Sequence, residues 1–250
     1  MAYETILYQA EGGIGRIILN RPQAMNAISP TMLKELKIAV LEAGDDKNAR
    51  VIVLTGAGKA FCAGVDLKSL GDRRLERGKV GDLLDVPARE LINAIRSVPK
   101  VVIALINGFC FTGAMEIMLG CDLVIASEDA KIGDTHAKWG LRPTWGMSAR
   151  LPRRVGFLKA KELSFTAEAI TAQEAERMGL INQAVPADKL EQALETMAKK
   201  IMANSPQSIL AYKHLYNTNE AMTLDQGLAL EFGSEFQISD TEERLKGFKK

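Results

Sequence analysis

The first half of the chain alternates short apolar runs with segments of helical periodicity. Residues 5–8 and 14–19 predict two strands joined by the turn Glu11-Gly-Gly13, which together form a hairpin. The β-branched runs at 51–55 and 101–106 predict two further, buried strands. These runs indicate a sheet that lies in the N-terminal half of the protein.

Caps and spaced apolar residues mark the helices. Ser29-Pro30 predicts a helix start, with Ser29 as the cap and Pro30 in the first turn. Further helices are predicted over about 87–97 and from about Thr112. The later helical segments are 157–165, 171–178, 188–203, 206–217 and 224–239. The glycine-rich, charged stretch 71–81 predicts a mobile surface loop, with an exposed helix end as the alternative.

This layout predicts an α/β fold with repeating strand–strand–helix units and a helical C-terminal region. The predicted division places the core at residues 1–190 and the helical region at residues 191–250. The helical region carries apolar residues beyond what the core needs, which favours self-association. Examples are Leu210, Leu215, Leu228 and Phe232.

The amino-acid composition and the net charge argue against several classes of function. The 250 residues are 47% hydrophobic and carry a net charge of +1, which does not indicate a nucleic-acid partner or a membrane surface. No apolar run approaches the ~18 residues that span a bilayer. The start of the chain lacks signal-peptide features, and Cys62, Cys110 and Cys121 show no metal-ligand spacing. We therefore expect a cytoplasmic protein with free thiols and no metal.

Two turns carry the candidate chemistry. Phe61-Cys-Ala-Gly-Val-Asp66 and Asn107-Gly-Phe-Cys-Phe-Thr-Gly-Ala-Met-Glu116 each follow an apolar strand and place small residues where a helix begins. Small residues let a ligand approach the backbone, and the free N–H groups of a helix start carry partial positive charge. The two turns predict an oxyanion hole with a glutamate one helical turn away.

With these residues in place, the chain resembles the enoyl-CoA hydratase/isomerase (crotonase) superfamily. The resemblance covers essentially the whole chain in order and spacing. Besides the two turns, the matching segments are Asn20-Arg-Pro22, Met25-Asn-Ala27, Cys121-Asp122, Gly156 and Thr171-Ala-Gln-Glu-Ala-Glu-Arg-Met-Gly-Leu-Ile181. It implies a superhelix of ββα units, a C-terminal trimerisation region and assembly into a homotrimer or homohexamer.

The resemblance also implies an acyl-CoA thioester substrate, with coenzyme A entering as part of the substrate and no separate cofactor. The oxyanion donors would be the N–H groups of Ala63 and Gly113. The loop at 59–67 would hold coenzyme A largely through backbone atoms. Its implied binding residues are Lys59, Ala60, Phe61, Gly64, Val65, Asp66 and Leu67. Candidates for the phosphate contacts are Arg21, Lys59, Lys68, Lys246 and Lys249.

Glu116 occupies the position of one of the two catalytic glutamates of hydratases in this family. Stabilisation of the helix dipole alone would also select a glutamate there. The helix start predicts that Glu116 is largely ionised at neutral pH.

The second glutamate is absent, and His136 stands at the matching position. Histidine can give or take a proton near neutral pH, or simply form a hydrogen bond within a loop. Asp134 could orient His136, act itself or be a turn residue. Trp139 and Trp145 are candidates for the wall of the acyl pocket, with a core role as the alternative.

The reaction expected from these residues is hydration of a 2-enoyl-CoA to a 3-hydroxyacyl-CoA through an enolate. A single carboxylate could instead move one proton and isomerise the double bond. Thioester hydrolysis and decarboxylation also need an oxyanion hole. A non-catalytic acyl-CoA-binding protein is the alternative of another class.

Overall fold

The computed structural model describes residues 3–71 and 75–249. Its strands are β1 (Ile6–Glu11), β2 (Gly13–Leu19), β3 (Ala49–Gly56), β4 (Ala60–Cys62), β5 (Val101–Ile106), β6 (Phe109–Phe111), β7 (Leu123–Ser127), β8 (Lys131–Gly133), β9 (Ile170–Thr171) and β10 (Gln183–Val185). Its α-helices are α1 (Pro30–Asp45), α2 (Asp82–Ser97), α3 (Gly113–Gly120), α4 (Met147–Thr166), α5 (Ala172–Arg177), α6 (Leu190–Met202), α7 (Pro206–Asn219), α8 (Leu224–Gly233) and α9 (Thr241–Leu245).

The strands form two sheets. The larger has the order β1-β2-β3-β5-β7-β10, and the smaller has the order β4-β6-β8-β9. Strands β1 and β2 are antiparallel with Ile6 opposite Leu19, which confirms the predicted hairpin. From β2 onward the neighbours in the larger sheet run parallel.

Successive strand pairs build a superhelix. Strands β3, β5 and β7 enter the larger sheet, and β4, β6 and β8, which follow them, enter the smaller one. A helix follows each pair, namely α2, α3 and α4. This arrangement confirms the predicted ββα units. It also places the ends of β4, β6 and β8 side by side, because these three strands are parallel.

Both faces of the larger sheet are covered. Ile52 and Leu54 of β3 belong to a core that includes residues of α1, α2 and α3. Val51 and Val53 point the other way and pack with Leu194 of α6. Burial on both faces explains why β3 and β5 are continuously apolar. Helix α6 thus covers the sheet, although all of it beyond Leu190 belongs to the predicted helical region. The division of the chain at residue 190 stays a prediction.

Some predicted helix bounds are wrong. Helix α2 begins at Asp82, five residues before Pro87, because Leu84 is fully buried and extends the apolar face of the helix. Helix α4 is divided at Gly156, whose φ of 78° interrupts the helical backbone; the part after Gly156 confirms the predicted helix at 157–165, and the part that begins at Met147 was not predicted. Helix α8 ends at Gly233 and does not reach residue 239.

Other expectations concern the surface and the thiols. In the predicted loop at 71–81, residues 72–74 lie outside the described residues, and 75–81 form neither helix nor strand. Cys62, Cys110 and Cys121 are free and buried, as predicted. Within residues 3–71 and 75–249, no helix has the length and apolar character to cross a membrane.

Candidate active site

A cavity of about 160 Å³ lies where the smaller sheet meets the start of α3 and the segment after β8. The parallel strands β4, β6 and β8 bring these segments to one edge of the sheet. The predicted site residues that line the cavity are Ala63, Val65, Leu67, Gly113, Glu116, His136, Trp139 and Trp145. Residues that lie far apart in the sequence therefore share one chamber.

One expected oxyanion donor is already engaged. The Ala63 N–H donates to the Met25 carbonyl at 3.0 Å, so Ala63 cannot act as the donor. Among the described residues, the N–H groups of Val65 and Gly113 have no protein acceptor, and both residues line the cavity. Val65 faces Ile28 in an isolated parallel bridge, but that bridge uses the groups of its neighbours. The available pair of donors is therefore Val65 and Gly113.

Close packing keeps the two donor turns together. Gly64 has a φ of +96°, and a Cβ there would lie 3.0 Å from the Phe111 carbonyl oxygen. A Cβ on Gly113 would lie 2.5 Å from Cζ3 of Trp145, inside contact distance. Any side chain at Gly113 would thus displace the Trp145 ring. These two glycines permit the close approach of the turns to each other and to the indole.

Glu116 projects from the first turn of α3 and is only 1% exposed. Its Oε1 accepts hydrogen bonds from the N–H groups of Trp145 at 3.0 Å and Met147 at 2.9 Å. These two bonds fix the carboxylate and leave Oε2 as the oxygen free to accept a proton.

Burial raises the pKa of Glu116 to about 6, although the Met147 N–H, the charge on His136 and the Trp145 N–H oppose the rise. The helix start was expected to favour the anion, whereas desolvation by burial is the largest influence on the Glu116 pKa and favours the acid. At pH 7 the carboxylate is still the major form. Glu116 can therefore act as a base near neutral pH.

His136 is held by a buried carboxylate. Its Nδ1 lies 2.6 Å from Oδ1 of Asp134, and Oδ2 of Asp134 accepts from the Ser164 hydroxyl at 2.7 Å. Burial acts to raise the pKa of Asp134, but the hydrogen bonds from His136 and Ser164 outweigh it and hold the pKa below its ordinary value. An ionised Asp134 accepts the Nδ1 proton, so Nε2 is the nitrogen that exchanges protons.

The two ionisable side chains face each other. His136 Nε2 lies 3.7 Å from Oε2 of Glu116, which is too long for a hydrogen bond and close enough for strong Coulombic interaction. Of the alternatives for Asp134, the structure supports the one in which it orients His136. The same carboxylate also accepts from the His136 backbone N–H at 3.3 Å.

The tryptophans differ in their surroundings. Trp145 is 4% exposed, whereas Trp139 is 62% exposed. Trp139 also lies under the Lys138 ammonium, which is 5.9 Å from the ring centroid. Both line the cavity, but only Trp145 also belongs to the core.

Other expected binding residues lie away from this cavity. Ala60 and Phe61 are buried within β4, and Gly64 packs against Phe111. Asp66 forms an ion pair with Arg21 at 2.9 Å. Lys59 is exposed outside the cavity, and the side chain of Lys249 lies outside the described residues. The part these residues play in holding coenzyme A stays a prediction.

Sequence reasoning missed two residues that support the site. Ser164 of α4 bonds to Asp134 from 30 positions away. Asp85 of α2 accepts from the Trp145 indole N–H at 2.8 Å and from the Thr144 hydroxyl at 2.7 Å, both on Oδ1. No local motif marks such contacts. The described part of the chain holds no group of three or more side chains that could bind a metal ion.

The chain is similar in sequence and in structure to known proteins. A family model described as enoyl-CoA hydratase/isomerase matches residues 9–250. A short-chain-enoyl-CoA hydratase of Clostridium acetobutylicum is 33% identical over 252 residues, covering 99% of this chain and 95% of the relative. A probable enoyl-CoA hydratase of Rhizobium meliloti is 37% identical over 251 residues, with coverages of 99% and 96%. The crystal structure of an enoyl-CoA hydratase from Bacillus anthracis has a TM-score of 0.89 at 34% identity, covering 98% of this chain and 96% of that chain.

Proposed function

Because the chain belongs to the enoyl-CoA hydratase/isomerase family, we propose that it hydrates a 2-enoyl-CoA to a 3-hydroxyacyl-CoA. The observation that carries this proposal is one cavity lined by two unengaged backbone donors and two facing acid–base groups. Relatives named as hydratases over nearly the full length support the same reaction. The reaction needs no cofactor beyond the coenzyme A of its substrate.

The backbone donors serve the thioester. When water adds to Cβ, negative charge develops on the thioester oxygen as the enolate forms. The N–H groups of Val65 and Gly113 would donate to that oxygen, and they are fixed before the substrate arrives. Removing one such donor commonly costs ~2.7–4 kcal/mol of transition-state stabilisation. This pair replaces the expected pair of Ala63 and Gly113.

The side chains serve the proton transfers. Oε2 of Glu116 accepts a proton from water as the water oxygen bonds to Cβ. The His136 Nε2–H then donates a proton to Cα, and the enolate electrons form the new C–H bond. Transfer of the proton from Glu116 to His136 restores both groups for the next turnover. Asp134 keeps the other ring nitrogen protonated throughout.

A direct assay tests the activity. Incubation with crotonyl-CoA should lower the absorbance of the conjugated enoyl thioester, with 3-hydroxybutyryl-CoA as the product identified by mass. A 3-enoyl-CoA supplied alone should react much more slowly. Conversion of the 3-enoyl-CoA without water addition would identify an isomerase, and binding of both thioesters without turnover would identify a non-catalytic protein.

We also propose that the protein assembles into a homotrimer or homohexamer through its C-terminal helical region, residues 191–250. Leu228 and Phe232 of α8 are 57% and 96% exposed in the single chain, which favours burial against another copy. Sedimentation should give about 82 or 164 kDa, three or six times the 27.3 kDa chain. A species of one chain mass at micromolar concentration would contradict the assembly.

We propose a cytoplasmic location on the basis of the thiols. Cys62, Cys110 and Cys121 are all free, which suits a reducing compartment. Fractionation of cells that express the chain from its own gene would test this location.

A further inference from the structure

The carboxylate of Asp85, which lies outside the cavity, accepts hydrogen bonds from two residues that line the active site. Asp85 lies in the first turn of α2 and places a single oxygen, Oδ1, between two donors. These donors are the Trp145 indole N–H at 2.8 Å and the Thr144 hydroxyl at 2.7 Å. Asp85 therefore fixes both the position and the rotation of the indole ring.

Trp145 contacts both halves of the proposed chemistry. Its ring packs on Gly113 so closely that no Cβ fits between them. Its backbone N–H donates to Oε1 of Glu116, as does the N–H of Met147 two residues later. Thus one residue braces an oxyanion donor with its side chain and orients the base with its main chain.

We propose that Asp85 is a positioning residue for the hydration reaction, acting through Thr144 and Trp145 on Gly113 and Glu116. This inference rests on the proposed function of the site. Asp85 lies on a helix that contributes no proposed proton donor, proton acceptor or oxyanion donor. Its effect on the reaction must therefore pass through the two residues that it holds.

The first test is Asp85→Ala, which removes the acceptor of both hydrogen bonds. We expect kcat with crotonyl-CoA to fall at least ~10-fold and KM to change less than ~3-fold, because the lost alignment acts mainly in the transition state. Asp85→Asn keeps an oxygen acceptor and should stay within ~3-fold of the parent enzyme. Asp82→Ala is the matched control, since it removes an exposed carboxylate one turn earlier on the same helix. A parent-like kcat in Asp85→Ala would overturn the proposal.

A mutant cycle tests the route of the effect. In the Thr144→Val/Trp145→Phe background, both donors to Asp85 are gone, so adding Asp85→Ala should change kcat less than ~2-fold. The full single-mutant effect in that background would overturn the proposal. If Asp85→Ala does not fold, the Thr144→Val/Trp145→Phe variant tests the proposal by itself. Its kcat should fall as expected for Asp85→Ala, and a parent-like kcat would refute the inference.

The pKa of Glu116 gives a measurement that does not depend on turnover. The groups that face Glu116 are His136, Asp134 and Arg150, together with the N–H groups of Trp145 and Met147. Displacement of Trp145 in Asp85→Ala lengthens the hydrogen bonds from these two N–H groups to Oε1 of Glu116, which weakens stabilisation of the anion, so the Glu116 pKa should rise. Carbon-13 NMR titration of the carboxyl group measures it. An unchanged pKa would count against the proposal even if the parent enzyme failed to hydrate crotonyl-CoA, which would refute the proposed function separately.

Discussion

Glu116→Gln is expected to lower the turnover of crotonyl-CoA at least ~100-fold, the low end of general acid–base contributions. Glutamine keeps an oxygen that can accept from the N–H groups of Trp145 and Met147. It loses the anionic oxygen that would take the proton from water. Acyl-CoA affinity, measured by calorimetry with a saturated thioester, should therefore change little while kcat falls.

A matched control is available in Glu176→Gln. Glu176 is an exposed glutamate on α5, and the same substitution there should leave kcat within ~2-fold. Thermal unfolding of both variants separates lost chemistry from lost stability. Parent-like turnover by Glu116→Gln would refute the proposed base.

The dependence of kcat/KM on pH is a second test of Glu116 as the base. Burial raises the pKa of Glu116 to about 6, and the base must be ionised to work. Activity should therefore be present above that pH and should fall as the pH drops through about 6. A profile of kcat/KM that stays flat from pH 7 to about 5 would contradict the assignment.

His136→Ala should lower turnover comparably, by about 100-fold, if His136 supplies the proton to Cα. It should also move the acidic limb of the profile to higher pH. The reason is that the charge on His136 lowers the pKa of Glu116, and alanine removes that charge. Steady-state kinetics from pH 5 to 8 would measure both effects.

Two residues close to His136 give further variants whose expected effects on kcat differ in size. Asp134→Asn replaces the acceptor that keeps Nδ1 protonated, so kcat should fall ~10-fold or more as the tautomer is lost. Ser164→Ala removes only one hydrogen bond to Asp134 and should cost a few-fold at most. If His136 merely bonded within its loop, His136→Ala would change activity only a few-fold while lowering stability. That result would refute its role as the acid.

The apolar pattern was sufficient to predict most of the fold. Continuous runs such as 101–106 predicted buried strands, and β5 spans that range. The cap at Ser29 and the helical segment 171–178 predicted helix starts, and the side chains of Ser29 and Thr171 both accept from a backbone N–H of the first turn. These features depend on neighbours in the sequence. The start of α2 does not, because the burial of Leu84 against distant helices decides it.

In the site, too, some features follow from the sequence and others depend on contacts between distant residues. Glu116 and His136 were recognised because each lies at a position that the family motif marks. The choice between Ala63 and Val65 as a donor depended on Met25, whose carbonyl occupies the Ala63 N–H. No local spacing in the chain could reveal that contact. The same holds for the Asp134–Ser164 and Asp85–Trp145 hydrogen bonds.

The sequence by itself determined the ββα order and the two small-residue turns, because each follows from residues close along the chain, and its resemblance to the family marked the replacement of a glutamate by His136. Only the tertiary structure decided which N–H groups are free, which nitrogen of His136 carries the exchangeable proton and how Trp145 is held. Those properties depend on hydrogen bonds between segments that meet only after folding. Desolvation in the folded state also set the direction of the Glu116 pKa shift, since burial outweighs the N–H groups of Met147 and Trp145 and the charge on His136.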